Sequence, residues 1–132
     1  MRFKHLLVFT VVFALVALGT SCSKPTEKKI VGKWQLVSDK DWSSSYPVWD
    51  EYIDPDDFIT AEFRNDGTCY IYEDGELEDI ATWAYDKTTE KIYWYGESYD
   101  FDSFSPKEMV WHLKEVDGSW SYEEILTWKK IK

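Results

Sequence analysis

From Ile30 onward the chain repeats one pattern: short runs in which large apolar side chains alternate with polar ones, broken at intervals of about ten residues by turn-forming residues. Period-two alternation over such lengths predicts half-buried strands, and the regular breaks predict an all-β domain. The segments are Ile30–Ser38, Phe58–Arg64, Thr68–Glu73, Ile80–Asp86, Lys91–Gly96, Ser98–Phe104, Glu108–Val116 and Trp120–Ile131. Asn65-Asp66-Gly67, Asp74-Gly75 and Asp117-Gly118 tolerate positive φ, so each can close a hairpin between antiparallel neighbours. Eight strands joined in this way close most economically as an antiparallel up-and-down barrel, which removes the sheet edges. A flattened β-sandwich is the alternative. No stretch shows helical periodicity.

Alternation also assigns faces. With Trp34 inward, the same side takes Leu36, Phe63, Ile71, Trp83, Tyr85, Trp94, Trp111, Leu113, Leu126 and Trp128. The opposite side takes Lys33, Gln35, Glu62, Thr82, His112, Lys114, Thr127 and Lys129, together with Tyr70, Tyr72, Tyr93 and Tyr95. Those four tyrosines are either ordinary surface residues or an aromatic patch for a partner.

The 132 residues suit one domain, and Trp 8, Tyr 9 and Phe 7 supply enough rings for a substantial core. From residue 22 onward there are 13 basic against 25 acidic side chains, a net charge of −12. That balance argues against nucleic acid, whose phosphates require Lys and Arg. The aromatic content argues against disorder.

The first 21 residues have a different character. Met1 to His5 carries two cations, Leu6 to Leu18 is a 13-residue run broken only by Thr10, and Gly19-Thr20-Ser21 leads to Cys22. This order predicts a secretory signal over residues 1–21, and the run is shorter than the roughly 20 apolar residues of a membrane span. With the cysteine directly after the small residues, the segment resembles a bacterial lipoprotein signal, although Gly19 stands where Leu is commonest. The resemblance implies that Cys22 takes a diacylglyceryl group and becomes the first residue. Cys69 is then left alone and reads as a small buried hydrophobe. Residues 22–29 read as the lipidated Cys and a flexible tether, whose Lys24, Lys28 and Lys29 could meet anionic headgroups or serve merely as a soluble linker. Residues 30–132 form the barrel domain.

Gly32-Lys33-Trp34 at the start of the first strand resembles the Gly-x-Trp opening of lipocalins and fatty-acid-binding proteins. The wider run Ile30 to Ser38, then Phe63-Arg64-Asn65-Asp66-Gly67-Thr68, Ala81 to Asp86, Phe104 to Val110 and Trp128-Lys129-Lys130-Ile131 resembles the small lipocalin-like lipoproteins of Bacteroidetes. The family implies a lipocalin-like barrel on a membrane anchor in the cell envelope, most simply at the outer membrane on its periplasmic or surface face. Two features depart from it: a long insertion after the first strand, and Lys129-Lys130 where a cation is often Arg.

An eight-stranded barrel is either filled by side chains or just wide enough for one small ligand. Trp34, Trp83, Trp94, Trp111 and Trp128 are the candidate lining of such a site. Trp42 and Trp49, in the segment from Lys40 to Asp57, extend it. That segment reads as a long loop which either lids the mouth, offers a stacking platform for sugars, or packs its own rings on the barrel end. Enzymatic constellations are thin: the exported chain has a single histidine, His112, predicted on the surface, and no Gly-x-Ser-x-Gly or Cys/His pairing. Asp54-Pro55-Asp56-Asp57 lacks EF-hand spacing, and one His with one Cys does not make a zinc site. No catalytic residue, metal or cofactor is therefore expected. The sequence points to a membrane-anchored, non-enzymatic domain that binds a small hydrophobic or aromatic-faced molecule. The alternative is an envelope interaction protein with a filled barrel that recognises a protein or glycan through surface aromatics.

Overall fold

A computed structural model of the chain describes residues 24–54 and 56–131. The predicted signal peptide and Cys22 lie outside the described residues. The described residues open with one short helix, α1 (Glu27–Ile30), capped by the Thr26 hydroxyl, which accepts from Lys29 N. Nine strands follow: β1 (Gly32–Ser43), β2 (Tyr46–Glu51), β3 (Ile59–Phe63), β4 (Thr68–Glu73), β5 (Glu76–Asp86), β6 (Lys91–Trp94), β7 (Glu97–Phe104), β8 (Glu108–Asp117) and β9 (Trp120–Lys130).

All pairings are antiparallel, and the sheet closes because β9 returns to β1 in register from Trp34↔Lys130 to Ser43↔Tyr122. This continuous seam makes a barrel rather than a flattened sandwich. Eight strands form the wall. On the other edge of β1, β3 covers Gly32 to Leu36 and β2 covers Lys40 to Ser43, so β2 prolongs the wall above β3.

That arrangement corrects one expectation. The segment from Lys40 to Asp57 is mostly a hairpin, with a turn at Ser44-Ser45, and among its described residues 52–54 and 56–57 lie outside the strands. Pro47 and the serine run hid the strand in the sequence. Proline is tolerated in β2 because it is an edge strand paired on one side only. Residues 27–29, read as part of the tether, belong to α1.

Up-and-down connectivity puts successive turns at opposite ends. The 64–67, 87–90 and 105–107 turns share one end with α1, and the 44–45, 74–75, 95–96 and 118–119 turns share the other. Three of the latter use the left-handed region: Asp74-Gly75 has φ of 51° and 85°, Tyr95-Gly96 has 53° and 76°, and Gly118 has 63°. An aromatic residue at such a φ is strained. Tyr95 is held there by its hydroxyl, which donates to Asp79 Oδ2 at 2.6 Å, and by edge contact with Trp94.

The helical end is sealed. Ile30 is fully buried, and Trp34 Nε1 donates to its carbonyl at 2.7 Å. The Lys130 ammonium lies 4.6 Å from the centroid of the Trp34 ring and donates to Val31 O at 3.0 Å. Burial lowers its pKa. The last strand thereby clamps the first. Lys130→Ala is expected to cost about 1–2 kcal/mol through the lost cation–π contact and carbonyl bond. Lys129→Ala, at an exposed neighbour, should change stability by less than about 0.5 kcal/mol. Urea midpoints of the two variants make the comparison.

Candidate functional site

The interior is built in layers that rise from this seal. Directly opposed residues of antiparallel strands share a face, so β8 and β9 give the successive pairs Met109↔Trp128, Trp111↔Leu126, Leu113↔Glu124 and Glu115↔Tyr122 on the inner wall. The lower layers are rings in mutual contact. Phe63 lies 5.4 Å from Trp83 and 5.8 Å from both Trp111 and Trp128, while Trp94 lies 5.6 Å from Trp111 and 5.4 Å from Trp128. Trp111 and Trp128 are 5.0 Å apart. These edge-to-face and tilted contacts are the favoured ones for aromatic quadrupoles, and they fill the lower barrel.

The structure thus brings together Trp34, Trp83, Trp94, Trp111 and Trp128, as the alternation predicts. Trp34 and Trp83 satisfy their indole N–H on backbone carbonyls, Trp83 donating to Arg64 O at 2.8 Å. The buried Nε1 atoms of Trp94, Trp111 and Trp128 have no partner. Each such orphan donor costs about 1–3 kcal/mol. Trp42 and Trp49 stand apart from this group. Trp42 is opposite Glu123 on the outer face, and Trp49 lines a cleft of about 510 Å³ with Lys40, Asp50, Glu51 and Ile125.

Above Leu126 the inner wall turns polar, and on β1 a β-bulge between Leu36 and Ser38 is the reason. Trp34 and Leu36 point inward on even positions. The extra residue, Val37, shifts the parity, so Asp39 opposes buried Leu126 and Asp41 opposes Glu124. Tyr99 from β7 donates to Glu124 Oε1 at 3.1 Å, and Tyr122 donates to Asp41 Oδ2 at 3.3 Å. Glu51 accepts from Asp39 N and from Ser38 Oγ, each at 2.9 Å. Trp120 stacks on Tyr122 at the rim, with centroids 6.0 Å apart and planes within 7°.

The electrostatics follow from crowding acids around a partly dehydrated floor. Burial, then the facing Glu124 carboxyl and the charges of Asp41 and Glu51, push Asp39 up to about 7, and its Oδ1 is buried without a partner. The hydrogen-bonding Glu115 carboxyl opposite it, then burial, raises Glu97 at the rim. Burial and the charge of Glu124 raise both Tyr99 and Tyr122, which keeps their hydroxyls as donors. For Glu51, burial opposes ionisation, but the bonds from Asp39 N–H and Ser38 outweigh it and hold the carboxyl low. Chemically the mouth offers acceptors, two phenolic hydroxyls and a flat ring pair over an apolar floor.

Sequence reasoning missed Asp39, Asp41, Tyr99, Trp120, Tyr122 and Glu124 as a group. Glu124 and Tyr122 were readable by continuing the Trp128–Leu126 alternation two steps further. Asp39 and Asp41 were not, because nothing in the sequence marks the bulge.

Two other candidates resolve simply. His112 lies on the outer face as predicted, with Nε2 2.8 Å from Glu123 Oε1 and Nδ1 3.2 Å from Asp102 Oδ2. Cys69 is fully buried, and burial pushes its thiol up to about 12. In a Cys22→Ala chain, Cys69 should therefore resist Ellman's reagent at pH 8 while folded and react at once in guanidinium. Among the described residues no group of three or more His, Cys, Asp or Glu side chains is placed to hold a metal ion, and no helix is long and apolar enough to cross a membrane.

The described strands thus form an eight-stranded antiparallel up-and-down barrel sealed at one end by a helix, the fold class that the sequence predicts. Among solved structures the chain is similar to bovine odorant-binding protein in complex with a selenium-containing odorant, at 14% identity, covering 84% of this chain and 76% of that one, with a TM-score of 0.46. A second structure of bovine odorant-binding protein, complexed with its natural ligand, matches at 15% identity over 84% of this chain and 77% of that one, with a TM-score of 0.44. No protein-family model matches the sequence, and no curated protein does.

Proposed function

We propose that the protein is a non-catalytic lipocalin-like lipoprotein of the small Bacteroidetes type, anchored in the cell envelope through Cys22, that binds a small aromatic-faced molecule at the mouth of its barrel. The observation that carries this reading is the convergence of Asp41, Glu124, Tyr99 and Tyr122 beside the stacked Trp120–Tyr122 pair. A flat ligand would stack at the rim and donate hydrogen bonds to the carboxylates, with Leu126 and Trp111 as floor. On this reading Trp34, Trp83, Trp94 and Trp128 support the floor from below, and Trp42 and Trp49 flank the site from the outer wall.

The close ring packing of the interior also favours a second reading, an interaction protein with a filled barrel. Its surface would be the outer face of β4 to β6, where Tyr70 pairs with Ile80 and Tyr72 with Leu77, both aliphatic residues being about half exposed, and Tyr93 lies farther along opposite Ala84. A protein or a glycan could cover that face.

Native mass spectrometry of the chain purified from its own envelope separates the two. A co-purifying small molecule that is lost from a Trp120→Ala, Glu124→Gln double variant supports the mouth. A parent protein that arrives bare, yet is retained on immobilised envelope proteins or glycans until Tyr70 and Tyr93 are replaced by serine, would transfer the function to the outer face.

A further inference from the structure

Charge is distributed unequally between the two ends of the barrel. Of the cations among the described residues, only Lys40 and Lys114 belong to the mouth half. The sealed end carries exposed Lys24, Lys28, Lys29, Lys87, Lys107 and Lys129, none of which makes an ion pair with a described residue. Exposed Glu27, Glu90 and Glu108 share that end, and other acids there are engaged locally. Glu62 pairs with Arg64, Asp66 accepts from Thr68 N and Oγ1, and Asp86 accepts from Thr88 N at 2.8 Å. At the mouth end the turns and irregular segment carry Asp54, Asp56, Asp57, Asp74 and Asp117 in addition to the inward acids.

The N-terminal segment leaves the domain at the cationic end. Pro25 and Thr26 line a cleft of about 550 Å³ with Tyr85, Lys87 and Thr88, and Lys24 lines a second with Thr89 and Glu90. Cys22 precedes Lys24 by two residues, a reach of at most ~7 Å. An acyl chain on Cys22 therefore holds the sealed end, and not the mouth, against the bilayer. The wall then carries the mouth about 25 Å away, from eleven tilted residues of β9.

We infer that the sealed end is a docking face for anionic phospholipid headgroups, which seats the barrel upright with its mouth directed away from the membrane. This rests on the reading of Cys22 as the lipid anchor. Two forces act together: the lysines are attracted within a Debye length of about 8–10 Å, and the acidic mouth is repelled from the same surface. The anchor fixes where the domain is held, and the charge distribution fixes which way it faces.

The test uses the full acylated chain in vesicles of phosphatidylcholine with or without about 30 mol% phosphatidylglycerol. An environment-sensitive probe is placed on Thr88→Cys at the sealed end or on Ser119→Cys at the mouth. Cys69 is buried and stays unlabelled. On anionic vesicles, spin-labelled headgroups should quench the probe at position 88 and spare the probe at 119. The contrast should fade in ~0.5 M salt and in a Lys28→Glu, Lys87→Glu, Lys107→Glu variant, with each lysine removed weakening docking on the order of fivefold. Unchanged tryptophan emission verifies that this variant is folded.

Equal quenching at both positions, or a contrast indifferent to lipid charge and salt, would overturn the docking face while the anchor stands. Failure of the parent to stay with neutral vesicles would instead overturn the anchor. Docking is then read from salt-sensitive co-sedimentation of the chain with anionic vesicles, whose absence overturns it too.

Discussion

Replacing Trp111 by alanine is expected to remove about 3–5 kcal/mol of stability, the largest loss of any single change in this chain. Trp111 is fully buried and its ring lies within 6.4 Å of five others: Phe63, Trp94, Tyr99, Phe101 and Trp128. Those neighbours are fixed to strands on every side, so the barrel cannot collapse into the space left behind. The indole N–H has no acceptor, so no hydrogen bond is lost and the effect is one of packing. Trp111→Phe should accordingly be milder, about 1–2 kcal/mol, because it deletes the orphan donor along with part of the ring. Trp49→Ala, on the open outer face, should cost less than about 1 kcal/mol. Denaturant unfolding of the three variants gives the ranking. A loss at Trp111→Ala no larger than that at Trp49 would mean that the lower barrel is loosely filled.

Stability is expected to fall as pH rises from about 4 to about 7, and Asp39→Asn should abolish most of that slope. In the folded chain burial and neighbouring acids raise the Asp39 carboxyl from 3.8 to about 7, whereas unfolding returns it to its ordinary value. Between these limits the native state holds a proton that the unfolded state has released, so each step up in pH favours unfolding. Above about 7 the native mouth must carry an ionised Asp39 against Glu124, Asp41 and Glu51. Solvent at the open end screens this repulsion and limits the loss to about 1–2 kcal/mol. Asp66, Asp86 and Glu51, whose carboxyls are lowered, act in the opposite sense and below this window. The asparagine variant should match the parent near pH 4 or below and exceed it by a margin that grows up to about pH 7 and then levels off. Urea midpoints across that range check the prediction, and a parent with a flat profile would contradict it.

Most of the wall was legible in the residues. Alternation placed eight of the nine strands within a few positions, and the Asx-Gly turns marked three hairpins, because both signals are local: they depend on a two-residue side-chain period and on which residues tolerate positive φ. The inward rings followed from Trp34 outward along every strand that keeps its parity. β2 escaped because Pro47 and three consecutive serines carry the composition of a loop, and only pairing with β1 makes them a strand. Trp42 and Trp49 were assigned to a loop for the same reason.

The sequence by itself determined an all-β chain with a ring-filled interior, an acidic balance and a single buried thiol. These follow from side-chain size, period and charge, which need no partner to be read. The tertiary structure decided what the barrel presents at its open end. One bulged residue, Val37, reverses the parity of β1 and carries Asp39 and Asp41 inside to meet Glu124, Tyr99 and Tyr122 from two other strands. A bulge is set by the register between paired strands, a property of two segments distant in sequence and of neither one alone. Closure of the sheet likewise left only Lys40 and Lys114 among the described lysines in the mouth half.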